Sequence, residues 1–359
     1  MPDGRWLEAV AAALGVLVVF VGVMELRLAM RGFRTSSTDS TWSWIVQRER
    51  AERLGERALV LVGASRVLLD LDLDVLRRNT GLEPVQLAID GSSFVPVLEN
   101  LADDPDIRGT VLVGYTDNAI AGPEGEDATA LFIAEWQHRE RVHHMPDFAS
   151  SEAALTDWLH AHLRSYADGA RPITSLTARI LAPRPTPQYL LMSSDRSWRA
   201  DYSKVEMPGF YYGRVERTLG ESVPVRDGMT WADLDAELRR RIDALPVASA
   251  SLVSERVGRI ADMAERIEAR GGHVAFTALP TSDLVRAIDA KRYPRDVFSD
   301  RLAAAVKEKT IDFTNHPALA NFKCPDGSHL DYRDRAAFTA ALIDVLDLGV
   351  APSMQRGTR

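Results

Sequence analysis

The segment Ala58-Leu-Val-Leu-Val62 is apolar at every position and stops at a glycine, Gly63. A strand wetted on one face alternates apolar and polar residues. One that is apolar throughout belongs inside a parallel sheet covered on both sides. The pattern recurs along the chain. Pro84 to Ile89 ends at Asp90-Gly91-Ser92-Ser93, and Gly109 to Gly114 runs into Tyr115-Thr116-Asp117-Asn118. Leu68 to Arg78 and Val95 to Ala102 carry helical spacing between these strands. Three strand-then-helix units in so short a stretch predict a doubly wound α/β fold. His273 to Leu279, stopped by Pro280, is a fourth strand, and Lys309 to Phe313 a weaker fifth. Two further helices are predicted: Leu252 to Arg270, closed by Gly271-Gly272, and Tyr332 to Leu346. The expected core is therefore a mostly parallel five-stranded sheet.

The other parts are arranged around that sheet. Ala9 to Met24 contains no charged residue. As a helix it is about 24–27 Å long, close to the hydrocarbon thickness of a bilayer. It is apolar on every face, which a helix at a protein surface is not. No small-x-small cleavage pattern separates it from Glu25 and Arg27, so an uncleaved anchor is expected rather than a removed signal peptide. The expected division is an anchor at 1–34, with residues 7–24 in the membrane, and a linker and helix at 35–56. An α/β domain at 57–349 and a flexible tail at 350–359 follow. Within the domain, residues of about 120–249 form a long, largely helical insertion with proline-rich breaks such as Ala182-Pro-Arg-Pro-Thr-Pro187. Its aromatic stretch, Trp198 to Arg214, suits either packing on the sheet or a face for stacking on sugar rings.

Composition excludes several classes. The formal net charge is −8, and basic residues alternate with acidic ones, as in Gln47-Arg-Glu-Arg-Ala-Glu-Arg53. A nucleic-acid partner is not expected from such a surface. The single cysteine, Cys324, rules out an internal disulfide and a cysteine metal cluster. His138, His143 and His144 are interleaved with Arg139 and Arg141, which would repel a cation, and His160 and His162 cannot share a helix face. No Gly-rich phosphate loop is present. Neither a metal nor a cofactor is expected.

In an open parallel sheet, ligands bind at the carboxyl ends of the strands. The polar residues there are Ser65, Asp90-Gly91-Ser92, Thr116-Asp117-Asn118 and, past the last strand, Asp326-Gly327-Ser328-His329. Gly63 and Ala64 permit a tight turn that leaves the Ser65 hydroxyl exposed at a helix N-terminus. On its own this turn is equally an N-cap. Asp326 and His329 change the balance. A serine nucleophile needs a base, and the base needs an orienting carboxylate. A three-residue spacing lets Asp326 hold one ring nitrogen of His329 while the other faces Ser65. Cys324, five residues before His329, is the rival nucleophile.

With these residues in this order the chain resembles the SGNH/GDSL hydrolase superfamily, over about Arg57 to Asn118 and His273 to Leu346. The resemblance implies a flavodoxin-like sheet and Ser65, Asp326 and His329 as the catalytic set. It implies an oxyanion hole from Ser65, Gly91 and Asn118, with Arg66, Ser92, Thr116 and Asp117 as substrate contacts. Two blocks depart from the family pattern. The first reads Gly-Ala-Ser-Arg, and the third, Gly114-Tyr-Thr-Asp-Asn118, sets its asparagine two residues late. An N-terminal anchor followed by this block resembles the membrane-tethered branch that acts in polysaccharide O-acetylation. That implies an ester substrate such as an acetylated glycan, a membrane-bound O-acyltransferase as partner, and an extracytoplasmic domain on the inner membrane. Counting Arg27, Arg31 and Arg34 against Arg5 gives the opposite orientation. The rival to an enzyme is an inactive protein of the same fold that binds glycan or the acyltransferase.

Overall fold

In the computed structural model, residues 5–122, 128–142, 148–224, 226–307 and 309–349 are described. Five strands form one all-parallel sheet. In chain order, β1 is Ala58–Val62, β2 Glu83–Gln86 and β3 Thr110–Tyr115, while β4 (Leu190–Met192) and β5 (Trp198–Ala200) stand apart as an antiparallel pair. The sheet resumes with β6 (His273–Ala278) and β7 (Lys309–Asp312), and its spatial order is β2-β1-β3-β6-β7. Pairing follows one register, with Val62 beside Val113, Tyr115 beside Ala278, and Ala278 beside Asp312. The carboxyl ends of all five strands thus share one rim.

The apolar run of β1 is divided between two cores. Ala58, Val60 and Val62 face the helices Thr41–Leu54, Val95–Asp103 and Val253–Glu268. Leu59 and Leu61 face Ser65–Asp70, Leu73–Thr80 and Arg335–Leu346. Covering on both sides is what a strand without polar positions requires. A third cluster joins the helices Gly209–Leu219 and Trp231–Asp243 to Asp283–Arg292.

Three elements differ from the sequence expectation. The helical spacing of Leu68 to Arg78 is broken, because the Asp72 side chain accepts hydrogen bonds from the N–H groups of Asp74 and Val75, capping a new helix. The last helix starts at Arg335 rather than Tyr332. The Asp331 carboxylate instead accepts the Tyr202 N–H, and the Tyr332 N–H donates to the Ala200 carbonyl. Finally, the long segment between β3 and β6 is not purely helical, since it carries the β4–β5 pair. The proposed tail at 350–359, with His143 and His144, lies outside the described residues.

That middle segment is joined firmly to the sheet. Arg196, 1% exposed, pairs with Asp39 and donates to the carbonyls of Gln86 and Ala88. Arg335 donates to the Trp198 carbonyl and the Ser197 hydroxyl. Of the aromatic stretch, Trp198 and Tyr202 are buried on the second face of the sheet. Tyr202 and Phe210 meet edge to face, and Tyr212 stacks on Trp231. Packing is thus the role most of this stretch fills.

The turn after β1 depends on two glycines. A Cβ on Gly63 would come within 2.5 Å of the Val67 side chain and 2.9 Å of the Gly114 carbonyl. A Cβ on Gly114 would collide with the same Val67 methyl. Val67 therefore fills the space both glycines leave, seating the first turn of the Ser65–Asp70 helix over β1 and β3. Gly114→Ala is expected to destabilise the full chain in detergent by about 1–3 kcal/mol in chemical denaturation. Adding Val67→Ala should recover part of that loss. Equal loss in the single and double variants would show that this contact does not set the turn.

Candidate active site

Ser65 opens its helix directly after the Gly63-Ala64 turn, with Ala64 extended and offering no side-chain cap. The helix cap reading of Ser65 is not what its hydroxyl does. Ser65 Oγ lies 2.9 Å from His329 Nε2, and His329 Nδ1 lies 2.9 Å from Asp326 Oδ2. The residues come from opposite ends of the chain, and the shared rim brings them together.

Asp326 is fully buried and His329 is 1% exposed. The loop is shaped around the carboxylate: Oδ1 accepts the N–H groups of Ser328 and His329 at 2.9 and 2.8 Å. Gly327, between Asp326 and Ser328, has φ +84°, and a Cβ there would press on Val285 and on the Tyr211 ring. Oδ2 also accepts from Arg214 Nε at 3.2 Å. Burial alone would push the Asp326 carboxyl up, but the His329 bond, the backbone N–H and Arg214 together hold it well below the usual carboxylate range. For His329 the balance is reversed. Burial lowers its pKa, Asp326 opposes this, and the charges of Arg214 and Arg66 lower it further. The ring is neutral at neutral pH, as a base must be before it takes a proton.

A cavity of about 340 Å³ opens beside Ser65. Gly91 and Asn118 line it, as do Arg66, Ser92 and Thr116. The irregular third block therefore still brings Asn118 to the site. Asp117 is the exception, for it does not line the cavity. Its carboxyl Oδ1 is buried without a hydrogen-bond partner, and burial with the charges of Asp289 and Asp312 pushes its pKa up to about 7. Gly91 adopts φ +68° in the turn after β2. Ser65 and Gly91 thus stand on the wall of the same cavity as Asn118.

Cys324 is not a rival nucleophile here. It is 2% exposed, its thiol donates to the Pro280 carbonyl, and burial raises its pKa well above the ordinary value. His160 is buried with its ring against the Thr38 hydroxyl, while His162 is exposed and stacks on Trp158.

Four further residues join this site. Arg214 comes from the middle segment. Arg256 lines the cavity from the Val253–Glu268 helix, anchored on the Ala119 carbonyl. Ser328 lines the cavity and accepts from Arg66 Nε at 3.4 Å. Asp70, fully buried, accepts the Leu330 N–H at 2.9 Å directly behind His329. Burial raises the Asp70 carboxyl well above its ordinary pKa. Ser328 belongs to the Asp326-Gly327-Ser328-His329 turn already marked at the rim, and Asp70 lies one helical turn after Arg66, whereas nothing in the sequence marks Arg214 or Arg256.

No family model matches this sequence, and no curated protein matches it significantly.

The charge of Arg214 yields a signed prediction. Arg214→Met removes a charge that lowers the His329 pKa, and it frees Asp326 of a competing donor while Arg66 stays in place. Both changes raise that pKa. The acid limb of Ser65 labelling by a fluorophosphonate probe should therefore move to higher pH. A limb that stays in place or moves to lower pH would show that Arg214 does not act on His329.

Proposed function

We propose that the protein is a membrane-tethered acyl-transfer enzyme of SGNH type, an O-acetylesterase or O-acetyltransferase acting on a cell-envelope polysaccharide. The observation that carries this reading is the chain of contacts Asp326 Oδ2, His329 Nδ1, His329 Nε2 and Ser65 Oγ, each step 2.9 Å, beside an open cavity. The strand order β2-β1-β3-β6-β7 supports a flavodoxin-like, SGNH-like fold.

The chemistry runs in two halves. Ser65 Oγ bonds to the ester carbonyl carbon as His329 Nε2 takes the hydroxyl proton. The carbonyl oxygen gains the negative charge, and the N–H groups of Ser65 and Gly91 with the Asn118 amide stabilise it. The intermediate collapses, the C–O bond to the alcohol breaks, and that oxygen leaves with the proton from Nε2. In the second half water, or a sugar hydroxyl, attacks acyl-Ser65 and gives its proton to Nε2. The Ser65 oxygen then departs and regains that proton. Asp326 stays ionised throughout and stabilises the imidazolium between the two transfers.

The test is direct. The wild-type chain should be labelled at Ser65 by a fluorophosphonate and should hydrolyse p-nitrophenyl acetate. Ser65→Ala should abolish labelling and lower kcat/KM on the order of 10³-fold or more. Undiminished labelling or hydrolysis in Ser65→Ala rejects the assignment. A wild-type chain inert in both assays favours a binding protein of the same fold.

The same proposal has the α/β domain outside the cytoplasm, with an inner-membrane anchor and a membrane-bound O-acyltransferase as partner. An alkaline phosphatase fusion at the C-terminus should then be active in cells, and a green fluorescent protein fusion dark. The opposite pattern would place the domain in the cytoplasm.

A further inference from the structure

The helix Arg5–Met30 is long and apolar enough to cross a bilayer. Most of it is bare, with Val16 and Val18 each 71% exposed. Its last turns are different. Met24 and Leu28 are buried beneath Leu176 and Ile180, together with Phe33. The Glu25 carboxylate accepts the N–H groups of Arg164 and Ser165, each at 2.8 Å. Arg31 donates to the carbonyls of Arg179 and Ala182. The segment Pro172–Leu181 is thereby fixed against the end of the helix rather than hanging from a flexible tether.

That position has a consequence for the segment. Residues 24–28 of a helix rise about 6 Å, comparable to the polar layer on one side of a bilayer. If Ala9 to Met24 lies in hydrocarbon, whatever packs on Met24 and Leu28 lies among the headgroups. Pro172–Leu181 fits that layer. Ile173 is 77% and Leu181 66% exposed, an apolar surface left uncovered among the described residues. Around them Arg27, Arg31, Arg34, Arg171 and Arg184 are exposed, and among the described residues none of the five forms an ion pair. Apolar side chains flanked by unpaired arginines match an interface of acyl chains beneath anionic phosphates.

We infer that residues 172–181 are a second membrane-contacting element. Ile173 and Leu181 enter the acyl boundary of an anionic phospholipid layer, and the surrounding arginines meet its phosphates. The α/β domain is then held against the bilayer in one orientation. This inference rests on the Arg5–Met30 helix crossing the bilayer, and it is independent of the chemistry at Ser65.

The full chain, with Cys324→Ala, is reconstituted in phosphatidylcholine vesicles containing about one part in four phosphatidylglycerol. A nitrobenzoxadiazole label is placed singly on Val18→Cys, Ile173→Cys, Leu181→Cys or Arg239→Cys. Val18 reports the span, and Arg239, 61% exposed on the Trp231–Asp243 helix, is the solvent control. Lipids brominated near the headgroup should quench the labels at 173 and 181 at least about two-fold more than the label at 239. Replacing phosphatidylglycerol by phosphatidylcholine, or introducing Arg171→Glu with Arg184→Glu, should reduce that quenching. Quenching at 18 with solvent-like labels at 173 and 181 overturns the inference and leaves the span intact. An unquenched label at 18 removes the span and the inference with it. Quenching indifferent to lipid charge rejects the role of the arginines. Shielding that appears only when native membrane proteins are added assigns the surface to a protein partner instead.

Discussion

The Asp326 carboxylate is the interaction on which the site depends. It is fully buried and remains ionised, which is tolerable only because donors surround it. Two of them, the N–H groups of Ser328 and His329, fold the loop. The third, His329 Nδ1, fixes the ring so that Nε2 points at Ser65. The fourth, Arg214, arrives from the middle segment. Loop shape, base orientation and the docking of a distant helix are thus satisfied at one group. Removing any donor leaves a buried charge less compensated, so the parts cannot vary independently.

The sheet was legible because its strands are extreme. Ala58 to Val62 has no polar position, and such a run has few homes other than a doubly covered parallel sheet. The rim was legible for the same reason: the fold decides which ends meet, and polar turns after β1, β2 and β3 mark them. Ser65, Asp326 and His329 could be paired across the chain because the chemistry demands those three types at that rim. Element boundaries were less legible. The Asp72 cap and the Asp331 contact are local hydrogen bonds that override helical spacing, and spacing alone does not register them. Asp117 shows the limit of the rim argument. Its neighbours Thr116 and Asn118 line the cavity, whereas one position between them turns a carboxyl group into the protein. Arg214 and Arg256 were invisible, since nothing near them in sequence says that their helices reach the site.

The middle segment is better understood as part of the site than as a cover over it. Tyr202 and Ala200 bond to Asp331 and Tyr332, immediately after the base. Arg196 ties the same segment to the end of β2 through Gln86 and Ala88. Its other end grips the Arg5–Met30 helix through Arg164, Ser165 and the Leu176–Ile180 contact. One stretch of chain therefore couples the Arg5–Met30 helix to the loop that holds His329.

The electrostatics of the site fit the base that the proposed acyl transfer requires. A protein that only binds has no need to keep a histidine dry and neutral between a charged carboxylate and two guanidinium groups. That arrangement costs desolvation, and a pair of apolar residues of equal volume would often be no less stable. What it provides is an imidazole that begins neutral, is already aimed at a hydroxyl, and becomes cationic next to a carboxylate that cannot move. Arg66 and Arg214 resist the positive charge on the ring, while Asp326 favours it. Burial and the two guanidinium charges thereby lower the pKa of the ring, while Asp326 opposes that shift. In the proposed acyl transfer the ring would take a proton twice in each cycle, once from the serine and once from the acceptor.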